Sequence, residues 1–161
     1  MKVEFWAIGK TREAWLREGV EVYCKRLRRY LPFGMVEIPD VKGGGKLAER
    51  ELVRREGEAL LGRLKPADRL VLLDERGTSR SSESLARHLE RLLQGGDNRL
   101  VFAAGGAYGF STKVQQRANE KLSLSKMTLS HQLVRLFFCE QLYRAMTILR
   151  GEPYHHGKIN A

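Results

Sequence analysis

An α/β fold with a mainly parallel sheet is predicted by three features of the sequence. Short apolar runs carry no polar alternation, among them Leu70-Val71-Leu72-Leu73 and Leu100-Val101-Phe102-Ala103-Ala104, as expected of strands covered on both faces. These runs alternate with helical patterns along the chain, the signature of repeated strand–helix–strand units. Glycines and small polar residues gather just after the runs, where ligands sit in open parallel sheets.

The elements follow in order. Lys2 to Ile8 predicts a first strand, closed by Gly9. Thr11 is placed to cap a helix reaching Tyr30, with Trp15, Val22, Tyr23 and Leu27 as its inner face and Pro32 as its stop. Met35 to Ile38 predicts a second strand ending at Pro39. Gly43-Gly44-Gly45 lies between lysines and reads as a flexible loop. No Gly-Lys-Ser/Thr follows it, so a mobile loop is expected in preference to a phosphate cradle. A charged helix is predicted from about Leu47 to Leu64, then a turn at Pro66-Ala67-Asp68. Arg69 to Leu73 predicts a third strand, ending in the polar loop Asp74-Glu75-Arg76-Gly77. Ser81 or Ser82 opens a helix to Leu93, and Gly95-Gly96 ends it. Leu100 to Ala104 is the fourth strand, running into Gly105-Gly106-Ala107-Tyr108-Gly109. Ser111 is placed to cap a short helix, Thr112 to Asn119. Leu122 to Leu124 predicts a fifth strand. The last helix, Gln132 to Arg150, is apolar on nearly every side, so it is either central to a core or shared with a partner.

The length of 161 residues predicts one domain spanning 1–161, with 157–161 as a flexible tail. Hydrophobic residues at 42% and charged residues at 30% fit a soluble globular chain. No apolar run approaches the roughly 20 residues that span a bilayer, and the first residues read as a strand rather than a leader. No membrane association and a cytoplasmic location are expected. Cys24 and Cys139 fall in helical patterns and read as reduced packing thiols. With no Cys-x-x-Cys and no His/Cys cluster, no metal site is expected. The net charge of +10 and pI of 9.9 pass the pI of about 9 at which a nucleic-acid partner is considered. The cations are grouped: Arg12 and Arg17, then Lys25, Arg26, Arg28 and Arg29, then Arg50, Arg54 and Arg55. Phosphate binding wants such grouping.

The ligand is narrowed by what is missing. Gly105-Gly106-x-x-Gly109 lacks the Gly-x-Gly-x-x-Gly spacing of a dinucleotide site. It reads either as a tight strand-to-helix turn or as a place where a nucleoside meets the backbone closely. Ser125 and Ser130 lie near His131, but there is no nucleophile elbow and no orienting acid. His131 reads as a helix-start or packing residue, and His88 as solvent-facing. Glu140 and Arg144 share one face of an otherwise apolar helix. An unpaired charge there is costly to bury, so the pair is expected to look into a polar cavity. In Pro153-Tyr154-His155-His156, the proline stiffens the approach and Tyr154 is suited to stack on a base.

Several spaced motifs in the right order resemble the RlmH (YbeA-like) family of SPOUT-class rRNA methyltransferases over essentially the whole chain. They are Ala7-Ile8-Gly9-Lys10, Val36 to Pro39, Leu72-Leu73-Asp74 and Gly105-Gly106-x-x-Gly109. The most specific are Leu-Ser-x-Ser-Lys-Met-Thr-Leu-x-His ending at His131, Gln132 to Arg135, Glu140 to Ala145, and Pro153-Tyr154-His155. One departure is Ala107-Tyr108, where many relatives carry proline after the paired glycines. The resemblance implies a SPOUT (alpha/beta knot) fold with a deep trefoil knot near the C-terminus, a homodimer and S-adenosylmethionine as methyl donor. It implies methylation at N3 of a pseudouridine (position 1915, helix 69) in 23S rRNA of the assembled ribosome. Carried over by motif, the cofactor site comprises Leu73, Gly105, Leu124, Ser125, Lys126, Met127, Thr128 and Leu129, while Glu140, Arg144, Tyr154 and His155 face the substrate.

In the expected mechanism, His155 assists deprotonation of N3 or positions the base, and Arg144 stabilises negative charge on the neighbouring carbonyls. The site is expected to be shared between two chains. The rival reading is a non-catalytic RNA- or ribosome-binding protein, which explains the basic charge but not the glycine-rich strand ends.

Overall fold

The computed structural model describes residues 1–157. The expected tail therefore lies, apart from Gly157, outside the described residues. Five strands form one parallel sheet in the order β2-β1-β4-β3-β5: β1 Lys2–Ile8, β2 Phe33–Ile38, β3 Asp68–Ser79, β4 Arg99–Ala104 and β5 Glu120–Ser123. Between and after them run α1 Ala14–Leu27, α2 Glu49–Leu61, α3 Ser82–Leu93, α4 Thr112–Arg117 and α5 Leu133–Leu149. The predicted α/β order is present element by element.

The central strands are buried on both faces, so their side chains feed two cores. Val3, Phe5, Phe102 and Leu122 point to the layer of α1, α3 and α5. Trp6, Ile8, Leu70, Leu72 and Val101 point to α2 and α4. Phe138 of α5 enters the first core between Phe5 and Phe102, with ring centroids 4.8 Å from each. Truncating so enclosed an aromatic typically costs about 3–5 kcal/mol.

α1 departs from expectation. Its N-cap is Glu13, not Thr11, and it ends at Leu27, well before Pro32. Leu16, Val20, Cys24 and Leu27 are its buried face, whereas Trp15 is 60% and Val22 46% exposed. The helix carries two apolar stripes, and α5 docks on the one containing Gly19. A Cβ there would stand 3.1 Å from Leu136, so the glycine lets α5 approach. Cys24 and Cys139 meet in this contact as free, buried thiols.

β3 is also longer than its apolar run. Asp74 to Gly77, expected as a loop, lies within the strand's span, and the register with β5 breaks there. Leu73 and Thr78 are both register partners of Leu122. Gly77 is pressed onto β5: a Cβ would lie 2.6 Å from the Lys121 carbonyl carbon and 2.8 Å from the Leu122 nitrogen. β5 ends at Ser123, so Leu124 already belongs to the loop beyond it. The serine caps are as predicted, with Ser81 Oγ accepting from the Ser84 N–H and Ser111 Oγ from the Val114 N–H.

No helix among the described residues is long and apolar enough to cross a membrane.

Candidate active site

A cavity of about 600 Å³ opens at the carboxyl ends of β3, β4 and β5. That lies within the range of about 300–1,000 Å³ typical of small-molecule sites. The β3 end supplies Leu73 to Arg76, the β4 end Ala104 to Phe110, and the segment after β5 supplies Leu124, Ser125 and Met127 to His131, with Val134 of α5 at the back. Every residue expected to hold a cofactor lines it except Lys126, which is exposed.

The chain builds this cavity from short polar links. Ser123 Oγ donates to the Ser125 carbonyl at 2.9 Å, and Ser125 Oγ accepts the Met127 N–H at 2.9 Å. The Thr128 hydroxyl donates to Glu75 at 2.7 Å, tying the loop to the β3 end. Ser130 Oγ accepts the Leu133 N–H at 3.0 Å and so starts α5. These bonds explain why serine and threonine alternate with apolar residues here: the hydroxyls fold the loop and the apolar groups line it. Met127 is 79% exposed at the rim.

The Gly105–Gly109 turn closes the opposite wall. Gly109 has φ +82°, a left-handed conformation that favours glycine. A Cβ on Gly105 would meet the Gly109 backbone at 3.1 Å, and one on Gly106 the Glu56 carboxylate at 2.6 Å. Glu56 of α2 is buried, and its Oε1 accepts no hydrogen bond. Burial, with Asp40 adding repulsion, raises its pKa above the ordinary carboxylate value. His131 lines the cavity as well, and burial, Arg135 and Arg12 together lower its pKa.

The residues expected to face substrate form a second cluster. Arg144 donates from Nε at 3.0 Å and Nη2 at 2.5 Å to Glu140 Oε1, which also accepts from the Tyr154 hydroxyl at 3.1 Å. The Arg144 guanidinium lies 4.8 Å from the Tyr154 ring centroid, and its Nη1 is 3.1 Å from His155 Nδ1. Burial, the Tyr23 hydroxyl and Glu140 raise the Tyr154 pKa, keeping the phenol protonated. The pair Glu140–Arg144 does not look into the large cavity, as the helix pattern suggested; the tail folds back and covers it. Val134 lines the cavity and Arg144 stands ten residues further along α5, about 15 Å at 1.5 Å per residue. One chain thus carries a cavity and a separate polar cluster.

The partners of three residues escaped the sequence reading. Arg135 is fully buried and hydrogen-bonded to the end of β1. Glu83 contacts His155 Nε2 at 2.8 Å. His88 is not solvent-facing: its Nε2 lies 2.6 Å from Glu120 Oε2. A polar residue at a helical position gives no signal of a partner distant in sequence. Only the Gln132-x-x-Arg135 spacing, which puts two polar groups on the first turn of an apolar helix, hinted at Arg135.

A family model described as predicted SPOUT methyltransferase matches residues 1–155. The chain belongs to the SPOUT methyltransferase family. Within it the relatives are close and full-length. The ribosomal RNA large subunit methyltransferase H of Cytophaga hutchinsonii is 48% identical over 97% of this chain and 100% of its own length. The protein of the same name in Geotalea daltonii is 49% identical with the same coverage. That in Parabacteroides distasonis is 49% identical over 97% of this chain and 99% of its own. The RlmH resemblance read from the motifs is therefore a family membership. In a SPOUT methyltransferase, the cavity at the three strand ends is the place to seek the methyl donor.

Proposed function

We propose that this SPOUT methyltransferase transfers a methyl group from S-adenosylmethionine to N3 of a pseudouridine in helix 69 of large-subunit rRNA, acting on the assembled ribosome in the cytoplasm. The observation that carries the reading is the cavity walled by the Leu124–Leu129 loop and the Gly105–Gly109 turn, in a chain that matches rRNA methyltransferases over 97% of its length.

The residues present fit the cofactor. Its adenosyl group needs close backbone approach, and Gly105, Gly106 and Gly109 present bare backbone to the cavity. Leu73, Gly105, Leu124, Ser125, Met127, Thr128 and Leu129 are its proposed holders. Bound there, S-adenosylmethionine supplies a methyl group activated by its sulfonium. Orientation then contributes most of the acceleration. Arg144, held by Glu140, stabilises negative charge developing on the carbonyls beside N3. The Tyr154 ring stacks on the base, and His155 holds its partner in place.

The 15 Å along α5 supports a homodimer in which one chain's cavity meets the other's Arg144 cluster. The outward Trp15 and Val22 of α1 and the 40% exposed Leu133 of α5 offer apolar surface for that pairing. We also read the chain as a single domain built on the one sheet. The trefoil knot that the family implies belongs to the same reading. The tight β3–β5 contact, where Leu122 pairs on both sides of 74–77 and Gly77 lies against the β5 backbone, is compatible with it.

Mass spectrometry of 23S rRNA from a strain lacking the protein tests the reading. A missing methyl in helix 69, restored by the wild-type gene and not by Arg144→Ala, is expected. An unchanged methylation pattern, together with no calorimetric binding of S-adenosylmethionine, would favour a non-catalytic RNA-binding protein. Verified heterodimers of a Gly105 variant and Arg144→Ala should recover partial activity, because each retains one intact composite site.

A further inference from the structure

We propose that Glu83 is a positioning residue of the methyl-transfer site, holding His155 Nε2 so that the opposite ring nitrogen, Nδ1, is turned onto Arg144. The functional part of this inference rests on the substrate-facing role proposed for Arg144; the contact itself does not.

Glu83 has a fixed origin. It is the second residue of α3, whose start is pinned by the Ser81 cap. Its Oε1 lies 2.8 Å from His155 Nε2, and His155 Nδ1 lies 3.1 Å from Arg144 Nη1. A guanidinium only donates, so Nδ1 must accept; a carboxylate only accepts, so Nε2 must carry the proton. Two neighbours from two helices demand the same neutral tautomer. The charged or titratable groups around the ring are Glu83 and Arg87 from α3, Arg144 and Glu140 from α5, and Tyr154 beside it in the chain. The His155 hydrogen bond, above all, lowers the Glu83 pKa, so its carboxylate stays ionised as an acceptor.

Two consequences follow. In this arrangement His155 has no free lone pair, so it does not take the N3 proton; its work is to orient Arg144. That guanidinium has five N–H groups. Glu140 engages two and His155 one, which leaves two to meet carbonyl oxygens of a substrate base. Glu83 fixes which two. The bland alternative is an acidic residue favoured in the first turn of a helix by the macrodipole.

The two are separated by Glu83→Ala and Glu83→Gln, since the glutamine oxygen still accepts from Nε2–H but has no charge. Proton NMR of ¹⁵N-histidine-labelled protein, without RNA, should display a downfield, slowly exchanging Nε2–H signal. It is assigned to His155 by its loss in His155→Ala. The signal should persist in Glu83→Gln and vanish in Glu83→Ala. In single-turnover methylation at saturating S-adenosylmethionine, Glu83→Ala should be at least about tenfold slow, Glu83→Gln near wild type, and cofactor affinity unchanged in both. A proton on Nδ1 in the wild type, retention of the signal in Glu83→Ala, equal rates in wild type and Glu83→Ala, or a glutamine variant as slow as alanine would each overturn the proposal. Wild-type protein with the NMR signal but no rRNA methylation would instead refute the function proposed above and leave the Glu83–His155 contact standing.

Discussion

Arg135 donates to the carbonyl of Ile8 across 127 residues of sequence distance, at 2.6 Å and with no exposure to solvent. The same guanidinium reaches the Gly9 carbonyl at 2.7 Å, Thr11 Oγ1 at 3.0 Å and the His131 carbonyl at 3.1 Å. β1 thus ends against a side chain rather than water, as buried backbone carbonyls require. Glu37, at 3.3 Å, balances the charge. This clamp fixes the first turn of α5, and His131 and Val134 beside it line the proposed cofactor cavity.

Arg135→Met should therefore destabilise strongly. It leaves several buried carbonyls without donors and Glu37 without its partner. Breaking a buried charged network in this way costs about 3–5 kcal/mol. Urea unfolding monitored by circular dichroism measures it; a change below about 1 kcal/mol would contradict the clamp. Arg135→Lys should recover only part, because one ammonium cannot reach all the acceptors that the fork serves.

Gly105→Val should abolish or weaken cofactor binding while leaving the chain folded. Its Cβ would already stand 3.1 Å from the Gly109 backbone, and the added methyls would project where the turn and cavity meet. Calorimetry with S-adenosylmethionine should report at least a tenfold loss of affinity, about 1.4 kcal/mol. Unchanged affinity would remove the turn from the site.

Gly77→Ala tests the tight contact at β5. Its Cβ would fall 2.6–2.8 Å from backbone atoms of Lys121 and Leu122, which cannot swing aside as a side chain can. Overpacking of this kind costs about 1–3 kcal/mol. A melting temperature equal to wild type would show that the backbone yields there.

Acid and base should act on different carboxyls. Asp68 is buried, which alone would raise its pKa, but Arg99 at 2.6 Å and the Lys65 N–H outweigh burial and hold it below the usual value. Its contribution is full above the unfolded value of about 3.9 and is lost as pH falls through the depressed folded value. Asp68→Asn should flatten the acid limb of the stability profile and cost roughly 1.5–3 kcal/mol at neutral pH by removing a charged hydrogen bond. Glu56 behaves oppositely. Its folded pKa is raised, so its stabilising contribution is full below the unfolded value and fades as pH rises through the folded one. Glu56→Gln should remove that fading, and denaturant midpoints from about pH 2 to 9 measure both variants.

What was legible in the sequence was what repeats locally. Leu70–Leu73 and Leu100–Ala104 announced buried parallel strands because both faces need apolar side chains. Ser81 and Ser111 announced helix starts because capping is a contact within four residues. The loop after β5 was legible through its motif, and the cavity through the strand ends. What stayed hidden depends on distant partners. The continuation of β3 through Asp74 to Ser79 is polar, and only its pairing with β5 makes it part of a strand. Trp15 and Val22 looked like an inner face because a helix with two apolar stripes does not say which one the core takes. His88 and Glu83 are ordinary polar helix residues until Glu120 and His155 arrive.

The shared partnership of Leu73 and Thr78 with Leu122 has a consequence for how the chain is made. Synthesis runs from the N-terminus, so β1 to β4 are made before Leu122 exists. The pairing positions at Leu73 and Thr78 must stay open until β5 is made. Completion is then a late event, and a chain released early would leave that seat vacant for a protease.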